Sequence, residues 1–144
     1  MNKKYPNIPG EQECYRLMEE YNMLPNIIEH SRQVKNVAVI ITDNLADGNH
    51  VNRDLVIAAS LLHDITKTHQ LNTGEPHDKT GADLLRELDM PEIAYIVAEH
   101  VLFNDFNPRG SVEEREIVYY ADKRVMHDTI VTVDQRVEDL LERY

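Results

Sequence analysis

The stretch from Asp54 to Lys67, DLVIAASLLHDITK, constrains the fold more than any other part of the sequence. Before His63 only Asp54 and Ser60 are polar, so a helix here would be apolar on all sides and would lie in the core. His63 and Asp64 would then also be buried. A buried carboxylate without a partner is costly enough that it takes up a proton, pairs with a cation or binds a metal. The His-Asp pair is therefore the first indication of a functional site.

Amphipathic segments on both sides of this stretch predict the rest of the fold. Apolar residues recur in them at three- and four-residue spacing, and no alternating strand pattern or internal repeat is present. The length of 144 residues fits one domain. We predict a single all-α domain, residues 1–144, of about six to seven helices, with residues 1–10 as an extended N-terminal arm. The other helices are predicted from residues 11, 26, 77, 89, 111 and 132, and the loops at 68–76 and 104–110.

Three helix boundaries are predicted from capping residues. The second helix should end near Asp47 and Gly48, with Gly48 just past its end. Ser111 with Glu114 forms a sequence pattern typical of a capping box, and Thr132 should cap the last helix, which runs to Tyr144.

Charge and cysteine content limit the partners. The formal net charge of −11 argues against nucleic-acid polymers and anionic membranes as partners, since both are bound by basic surfaces.

The apolar runs are too short to span a bilayer, and the N-terminus lacks the apolar run of a secretory signal. The single cysteine, Cys14, excludes an intramolecular disulfide and favours a reducing compartment. We expect a cytoplasmic protein with a small substrate; a homo-oligomer is compatible with the sequence.

Histidines occupy the inner faces of four predicted helices, and two aspartates join them. A single histidine on an apolar face is more often a hydrogen-bonded core residue than a ligand. Several buried imidazoles and carboxylates together need mutual partners, which a divalent metal centre supplies. Without thiolates, such a set suits one or two ions of iron, manganese, zinc, nickel or cobalt. The candidate ligands are His30, His63, Asp64, His77, His100 and Asp122.

The remaining histidines, His50, His69 and His127, fall in loops or near helix ends. We expect their side chains to be solvated.

The order of the candidate ligands resembles the HD-domain superfamily of metal-dependent phosphohydrolases. The resemblance covers nearly the whole chain and rests on the HD pair together with an upstream histidine and a downstream aspartate in the right order. The Gly-Tyr-Pro signature of the cyclic-dinucleotide branch is absent, so the chain is more similar to the small stand-alone HD proteins. The matching positions are His30, His63-Asp64 with Lys67, His77 with Gly81-Ala82, His100 and Ala121-Asp122-Lys123.

The resemblance implies a role for each ligand. His30, His63, Asp64 and Asp122 would hold one metal. In two-metal members of the family the HD aspartate, here Asp64, bridges to a second metal, which His77 and His100 would hold.

The resemblance also implies that Lys67 faces the substrate phosphate. Its position, four residues beyond His63, puts it on the same side of the helix. Arg109 and Arg124 are further candidates for substrate binding. Lys123 follows Asp122 directly and is expected on the surface, because consecutive helix positions face different directions.

These residues favour one function and leave two others open. The favoured one is hydrolysis of a phosphomonoester or phosphoanhydride of a small nucleotide substrate by a metal-activated hydroxide, with Asp64 and Lys67 as the catalytic residues. Some HD-fold proteins instead activate oxygen with a di-iron centre, and the ligands alone do not distinguish this oxygenase from a hydrolase. A non-catalytic nucleotide sensor is the third alternative.

Overall fold

The computed structural model describes residues 8–46 and 48–143, which form eight helices and one short antiparallel ribbon. The all-α prediction is therefore confirmed. Most of the predicted arm, residues 1–7, lies outside the described residues, as do Asp47 and Tyr144. The helices are α1 (Glu11–Glu20), α2 (Pro25–Asp43), α3 (Arg53–Leu62), α4 (Lys67–Thr73), α5 (His77–Glu87), α6 (Pro91–Ala98), α7 (Glu114–Lys123) and α8 (Val133–Arg143), and the ribbon strands are β1 (Val125–Met126) and β2 (Thr129–Ile130).

Helix α3 is the centre of the core, as its sequence predicts. All its residues from Leu55 to Leu62 except Ile57 are buried, and α1, α2, α6 and α7 pack around it. The side-chain oxygen of Asn52 accepts a hydrogen bond of 3.0 Å from the amide of Leu55 and so caps its first turn. No helix among the described residues is both long and apolar enough to cross a bilayer.

The end of α3 differs from the prediction. The helix was expected to continue to Lys67, but it ends at Leu62, and the next four residues form a turn. In this turn the amides of Ile65 and Lys67 bond to carbonyls three residues back, at 3.1 and 2.9 Å, so the chain winds more tightly than an α-helix. The turn carries His63 and Asp64 into the functional site.

Helix α4 follows this turn in a segment predicted as a polar loop. None of its residues is buried, so it has no apolar face that periodicity could reveal. It is capped by Gly74, which has a positive φ of 77°. The amide of Gly74 donates a hydrogen bond of 2.8 Å to the Gln70 carbonyl, as is typical of a glycine at a helix C-terminus.

Two predicted boundaries were wrong, and one was right. Helix α2 ends at Asp43, where the side chain of Asn44 satisfies the carbonyl of Ile40 at 2.7 Å. Helix α7 begins with a capping box between Glu113 and Glu116 instead of at Ser111. The predicted cap of α8 is present, since Thr132 Oγ1 accepts from the Gln135 amide at 3.1 Å.

Gly81 in α5 marks a close contact between elements. A Cβ atom at this position would lie 3.2 Å from Val97 Cγ1 of α6 and 3.3 Å from Thr66 Oγ1 of the turn after α3. Both neighbours are side-chain atoms. The contact holds α5, which begins with His77, against α6 and the turn.

Candidate metal centre

The six predicted ligands meet in one cluster beside the end of α3. Each comes from a different part of the fold, except for the adjacent pair in the turn after α3. His100 was predicted on the inner face of a helix but lies just past the end of α6. The contributions are His30 from α2, His63 and Asp64 from the turn, His77 from the start of α5, His100 from the segment after α6 and Asp122 from α7.

One half of the cluster is formed around His30 and His63. His30 Nε2 lies 2.9 Å from Asp122 Oδ1 and 3.7 Å from Asp64 Oδ2. His63 Nε2 lies 3.3 Å from each of the same two oxygens. Two imidazole nitrogens and two carboxylate oxygens therefore converge on one point.

The other half is formed around His77 and His100. Their Nε2 atoms lie 3.2 and 3.5 Å from Asp64 Oδ1, and 2.9 Å from each other. Asp64 thus turns one oxygen toward each half. This is the arrangement expected of a carboxylate that bridges two cations.

Hydrogen bonds at Nδ1 fix the orientation of all four rings. Each Nδ1 faces an oxygen acceptor, so each Nδ1 carries the proton. When the ring is neutral, Nε2 therefore has no proton, and its lone pair is free to bind a metal. The Nδ1 bonds run from His30 to the His127 carbonyl (2.7 Å), from His63 to the Ser60 carbonyl (2.6 Å), from His77 to Gln70 Oε1 (2.7 Å) and from His100 to the Val97 carbonyl (2.6 Å).

Two bare nitrogens 2.9 Å apart repel each other unless a proton or a cation lies between or beside them. His77 and His100 are in this position. In addition, His63 Nε2 is buried and lacks a hydrogen-bond partner among the described residues. A metal ion would satisfy both features at once.

The electrostatics of the site favour a cation. Burial opposes ionisation of Asp64, but the charge of His63 and the other imidazoles that face this carboxyl outweigh burial and lower its pKa well below the usual value. Burial also opposes ionisation of Asp122, but the imidazoles of His30 and His63, which face this carboxylate, lower its pKa well below the usual value. Burial opposes the charging of His63, yet the two carboxylates raise its pKa well above the usual value. The same field stabilises a metal cation at this nitrogen.

The donor set fits divalent transition metals. The ligand atoms of His30, His63 and Asp64 lie within 4.8 Å of one another, as do those of Asp64, His77 and His100. Imidazole and carboxylate donors without thiolates suit iron, manganese, nickel, cobalt or zinc. The described residues can therefore hold one ion in each half.

A cavity of about 500 Å³ opens onto the cluster. Lys67 lines it, half-buried, and no hydrogen bond or ion pair joins its ammonium group to another described residue. Its free ammonium group can therefore meet an anion in the cavity. The sequence placed Lys67 on the same helix as His63, but Lys67 begins α4 after the intervening turn.

The two arginines proposed for the substrate lie elsewhere. Arg109 is exposed in the loop before α7 and does not line the cavity. Arg124 does not line it either: its Nε donates to the Val131 carbonyl at 2.6 Å and its Nη1 to the Tyr120 hydroxyl at 2.8 Å. The guanidinium of Arg124 therefore holds the segment that leads into α8.

Sequence reasoning missed two cations that do line the cavity. Lys123 was expected on the surface, but its Nζ donates to the His100 carbonyl at 3.2 Å and to Asp122 Oδ2 at 3.3 Å, because its long side chain reaches back over the end of α7. Its place beside Asp122 was the only indication in the sequence. Arg136 of α8 also lines the cavity, and nothing in its acidic surroundings pointed to it.

The three histidines expected to be solvated are all exposed. His50 and His69 lie away from the cavity. His127 lies at its rim, with a positive φ of 56°, and contributes its carbonyl to His30.

Known proteins resemble this chain in sequence and in fold. The HD domain family model matches residues 27–126. The crystal structure of a predicted HD superfamily hydrolase from an uncultured Thermotogales bacterium has the same fold, with a TM-score of 0.63 and 24% identity over 96% of this chain and 79% of that one.

Two curated relatives are longer proteins. The dihydroneopterin 2′,3′-cyclic phosphate phosphodiesterase of Methanocaldococcus jannaschii is 35% identical over 133 residues, which cover 79% of this chain and 53% of that protein. A tRNA (cytidine(56)-2′-O)-methyltransferase of Thermoplasma volcanium is 36% identical over 100 residues, 69% of this chain and 28% of that protein. The chain thus spans about half or less of the length of these relatives.

Proposed function

We propose that this chain, which belongs to the HD domain family, is a metal-dependent phosphohydrolase of a small phosphorylated substrate. The observation that supports this proposal most is the position of Asp64, whose two oxygens face two different pairs of histidine nitrogens. Such a carboxylate suits a pair of metals that act on one phosphoryl group. We place the reaction in the cavity beside the cluster.

His30, His63, Asp64 and Asp122 would hold one ion, and Asp64 with His77 and His100 the other. A divalent metal held there supplies Lewis acidity and lowers the pKa of bound water to about 7. The four Nδ1 hydrogen bonds keep the imidazole nitrogens in their ligand orientation without any rearrangement. The ligands are therefore preorganised.

Lys67 is the residue that we assign to the substrate phosphate. It follows the Asp64 turn directly, lines the cavity and has an uncommitted ammonium group. A cation at this position stabilises the negative charge that develops on the phosphoryl oxygens during transfer. Lys67 would thus bind the phosphate in a cavity that Asp64 also lines.

The substrate that we propose is a phosphomonoester or phosphoanhydride, with nucleotides as the first class to test. The relative from Methanocaldococcus jannaschii is named for a 2′,3′-cyclic phosphate, so cyclic diesters belong in the same set. A small molecule is favoured over a nucleic-acid polymer because the chain carries a net charge of −11.

The test combines metal analysis with a substrate screen. Protein purified without chelator is analysed for metal and then incubated with nucleoside mono-, di- and triphosphates, 2′,3′-cyclic phosphates and sugar phosphates, each with added manganese, iron, nickel, cobalt or zinc. We expect one or two equivalents of metal and hydrolysis of at least one class, abolished when a chelator strips the metal. Bound metal without hydrolysis would contradict the proposal. Oxygen uptake with iron would then indicate the oxygenase, and nucleotide binding without turnover the sensor.

A further inference from the structure

The cavity beside the metal cluster concentrates positive charge in an acidic protein. Three cationic side chains of the described residues line it together with the carboxylates of Asp64 and Asp122, although the whole chain has a net charge of −11. Lys67 is assigned to the scissile phosphate, and Lys123 is bonded to His100 and Asp122. Arg136 of α8 is the third cation, and the proposed reaction gives it no role.

The guanidinium of Arg136 has unused hydrogen-bonding capacity. Its Nε is buried and has no hydrogen-bond partner in the part of the chain that the structure describes. Its Nη1 lies 3.7 Å from Asp139 Oδ2, which is an ion pair but too long for a hydrogen bond. Arg136 itself lines the cavity and its side chain is 22% exposed, so an anion there can pair with the accessible part of a guanidinium whose donors are not all used.

Hydrogen bonds tie the segment that leads into α8 to the neighbourhood of the metal cluster. Arg124 and Val131 exchange hydrogen bonds of 2.6 and 2.8 Å just before the helix begins. The ribbon turn is tied to the cluster through the His127 carbonyl and His30 Nδ1. Arg136 therefore belongs to a wall that is linked to the ligands, and Leu140, one helical turn later, lines the same cavity.

We propose that Arg136 and Leu140 form a subsite for the part of the substrate beyond the scissile phosphate, where Arg136 binds a second anionic group. This inference rests on the proposed hydrolase function. The substrate class is an organic phosphate that carries another phosphate or a carboxylate, such as a nucleoside 3′,5′-bisphosphate or a 5′-phosphorylated 2′,3′-cyclic nucleotide. A guanidinium group suits this role because it can give two parallel hydrogen bonds to one anion. Leu140 offers an apolar contact for the organic part.

Matched substrates that differ only in the second phosphate test this subsite. Adenosine 3′-phosphate is compared with the 3′,5′-bisphosphate, and adenosine 2′,3′-cyclic phosphate with its 5′-phosphorylated form, in metal-loaded wild type and Arg136→Gln. We expect the wild type to prefer the doubly phosphorylated member, and the variant to raise KM for that member roughly tenfold or more with little change for the other. Arg136→Lys should retain part of the preference. Arg16→Gln, an exposed charge-matched control on α1, should retain all of it.

A binding experiment separates failure of the subsite from failure of the hydrolase. Propylphosphonate and propane-1,3-bisphosphonate, which have no scissile phosphate ester, are titrated calorimetrically into the same metal-loaded proteins. Tighter binding of the bisphosphonate that is lost in Arg136→Gln supports the subsite even if no substrate in the panel is hydrolysed. Three results would overturn the subsite: equal affinity of the wild type for the two phosphonates, no binding of either, or an equal loss of affinity for both in Arg136→Gln. Hydrolysis with an unchanged preference in Arg136→Gln would overturn it too, while leaving the hydrolase intact.

Discussion

The metal cluster and the rim of its cavity are built in opposite ways. The cluster lies at the junction of α2, α3, α5, α6 and α7, and His63 and His100 are no more than 1% exposed. The rim is formed by the ends of α4 and α7, by α8 and by loop residues such as Val101, which is 39% exposed. Core packing therefore fixes the candidate metal ligands, whereas the substrate specificity that we propose would depend on side chains that are partly solvated. Mutations in the two regions should separate metal binding from substrate handling.

The largest expected effect comes from Asp64, the residue that joins the two halves of the cluster. Asp64→Asn keeps the shape of the side chain but removes the charge that faces all four histidines. We expect loss of metal and a fall in the rate of hydrolysis. The fall should exceed the roughly 10- to 100-fold effect of losing a hydrogen-bond partner behind a metal ligand. Metal analysis and phosphate release measure both.

Asp54→Asn is the matched control for this change, since it makes the same substitution at an exposed position in the first turn of α3. It should retain metal and rate. Full metal content in Asp64→Asn would contradict the bridging role and show that each half binds its ion independently.

Lys67 should give the next largest effect, on rate alone. Lys67→Ala removes a cation from the rim without touching a ligand, so metal content should stay at the wild-type level. Removal of one preorganised donor to a transition-state oxyanion costs about 10²- to 10³-fold in turnover, and we expect a loss of this order.

Lys79→Ala, at an exposed position on α5, is the corresponding control. Metal loss in Lys67→Ala would break the proposed separation between cluster and rim, and an unchanged rate would remove this lysine from the chemistry.

Lys123 belongs to both regions and should have an intermediate effect. Its Nζ joins the His100 carbonyl to Asp122 Oδ2, so it links the two halves of the cluster from the cavity side. Lys123→Met should weaken metal binding roughly 10- to 100-fold, as the loss of a hydrogen-bond partner behind a metal ligand generally does. Competition with a chromophoric chelator measures this affinity directly.

Rescue of metal affinity in Lys123→Arg would show that the positive charge positions the ligands. A loss of turnover with unchanged metal affinity would instead place Lys123 on the substrate.

The same contrast explains what the sequence could predict. Five of the candidate ligands occupy positions where apolar residues were expected: His30, His63, Asp64, His77 and His100. Because burying such side chains is costly, the amino-acid pattern alone indicates a site. The turn that carries His63 and the position of His100 past α6 follow from tertiary packing, which periodicity does not encode.

The sequence pattern did not predict most of the residues that form the rim. Lys123 and Arg136 are charged residues on helices with ordinary charged surfaces, so their composition does not distinguish a cavity wall from a solvated face. Arg124 was predicted to bind the substrate because of its charge. In the structure its guanidinium instead makes hydrogen bonds to Val131 and Tyr120, which hold the segment that leads into α8. The direction of a long side chain, which decides these cases, is set only by the folded neighbours.

The smallest effect is expected for Arg109, the other arginine that the sequence suggested for the substrate. It is exposed in the loop before α7, and among the described residues only its backbone amide makes a hydrogen bond, at 3.1 Å to Asn107 Oδ1. Arg109→Ala should therefore change the free energy of unfolding by less than about 0.5 kcal/mol and leave kcat/KM within a factor of two. Denaturant titration and steady-state kinetics on one substrate measure these quantities. A tenfold rise in KM with unchanged stability would mean that this loop closes over the bound substrate, and the rim would then extend beyond the cavity walls seen in the free protein.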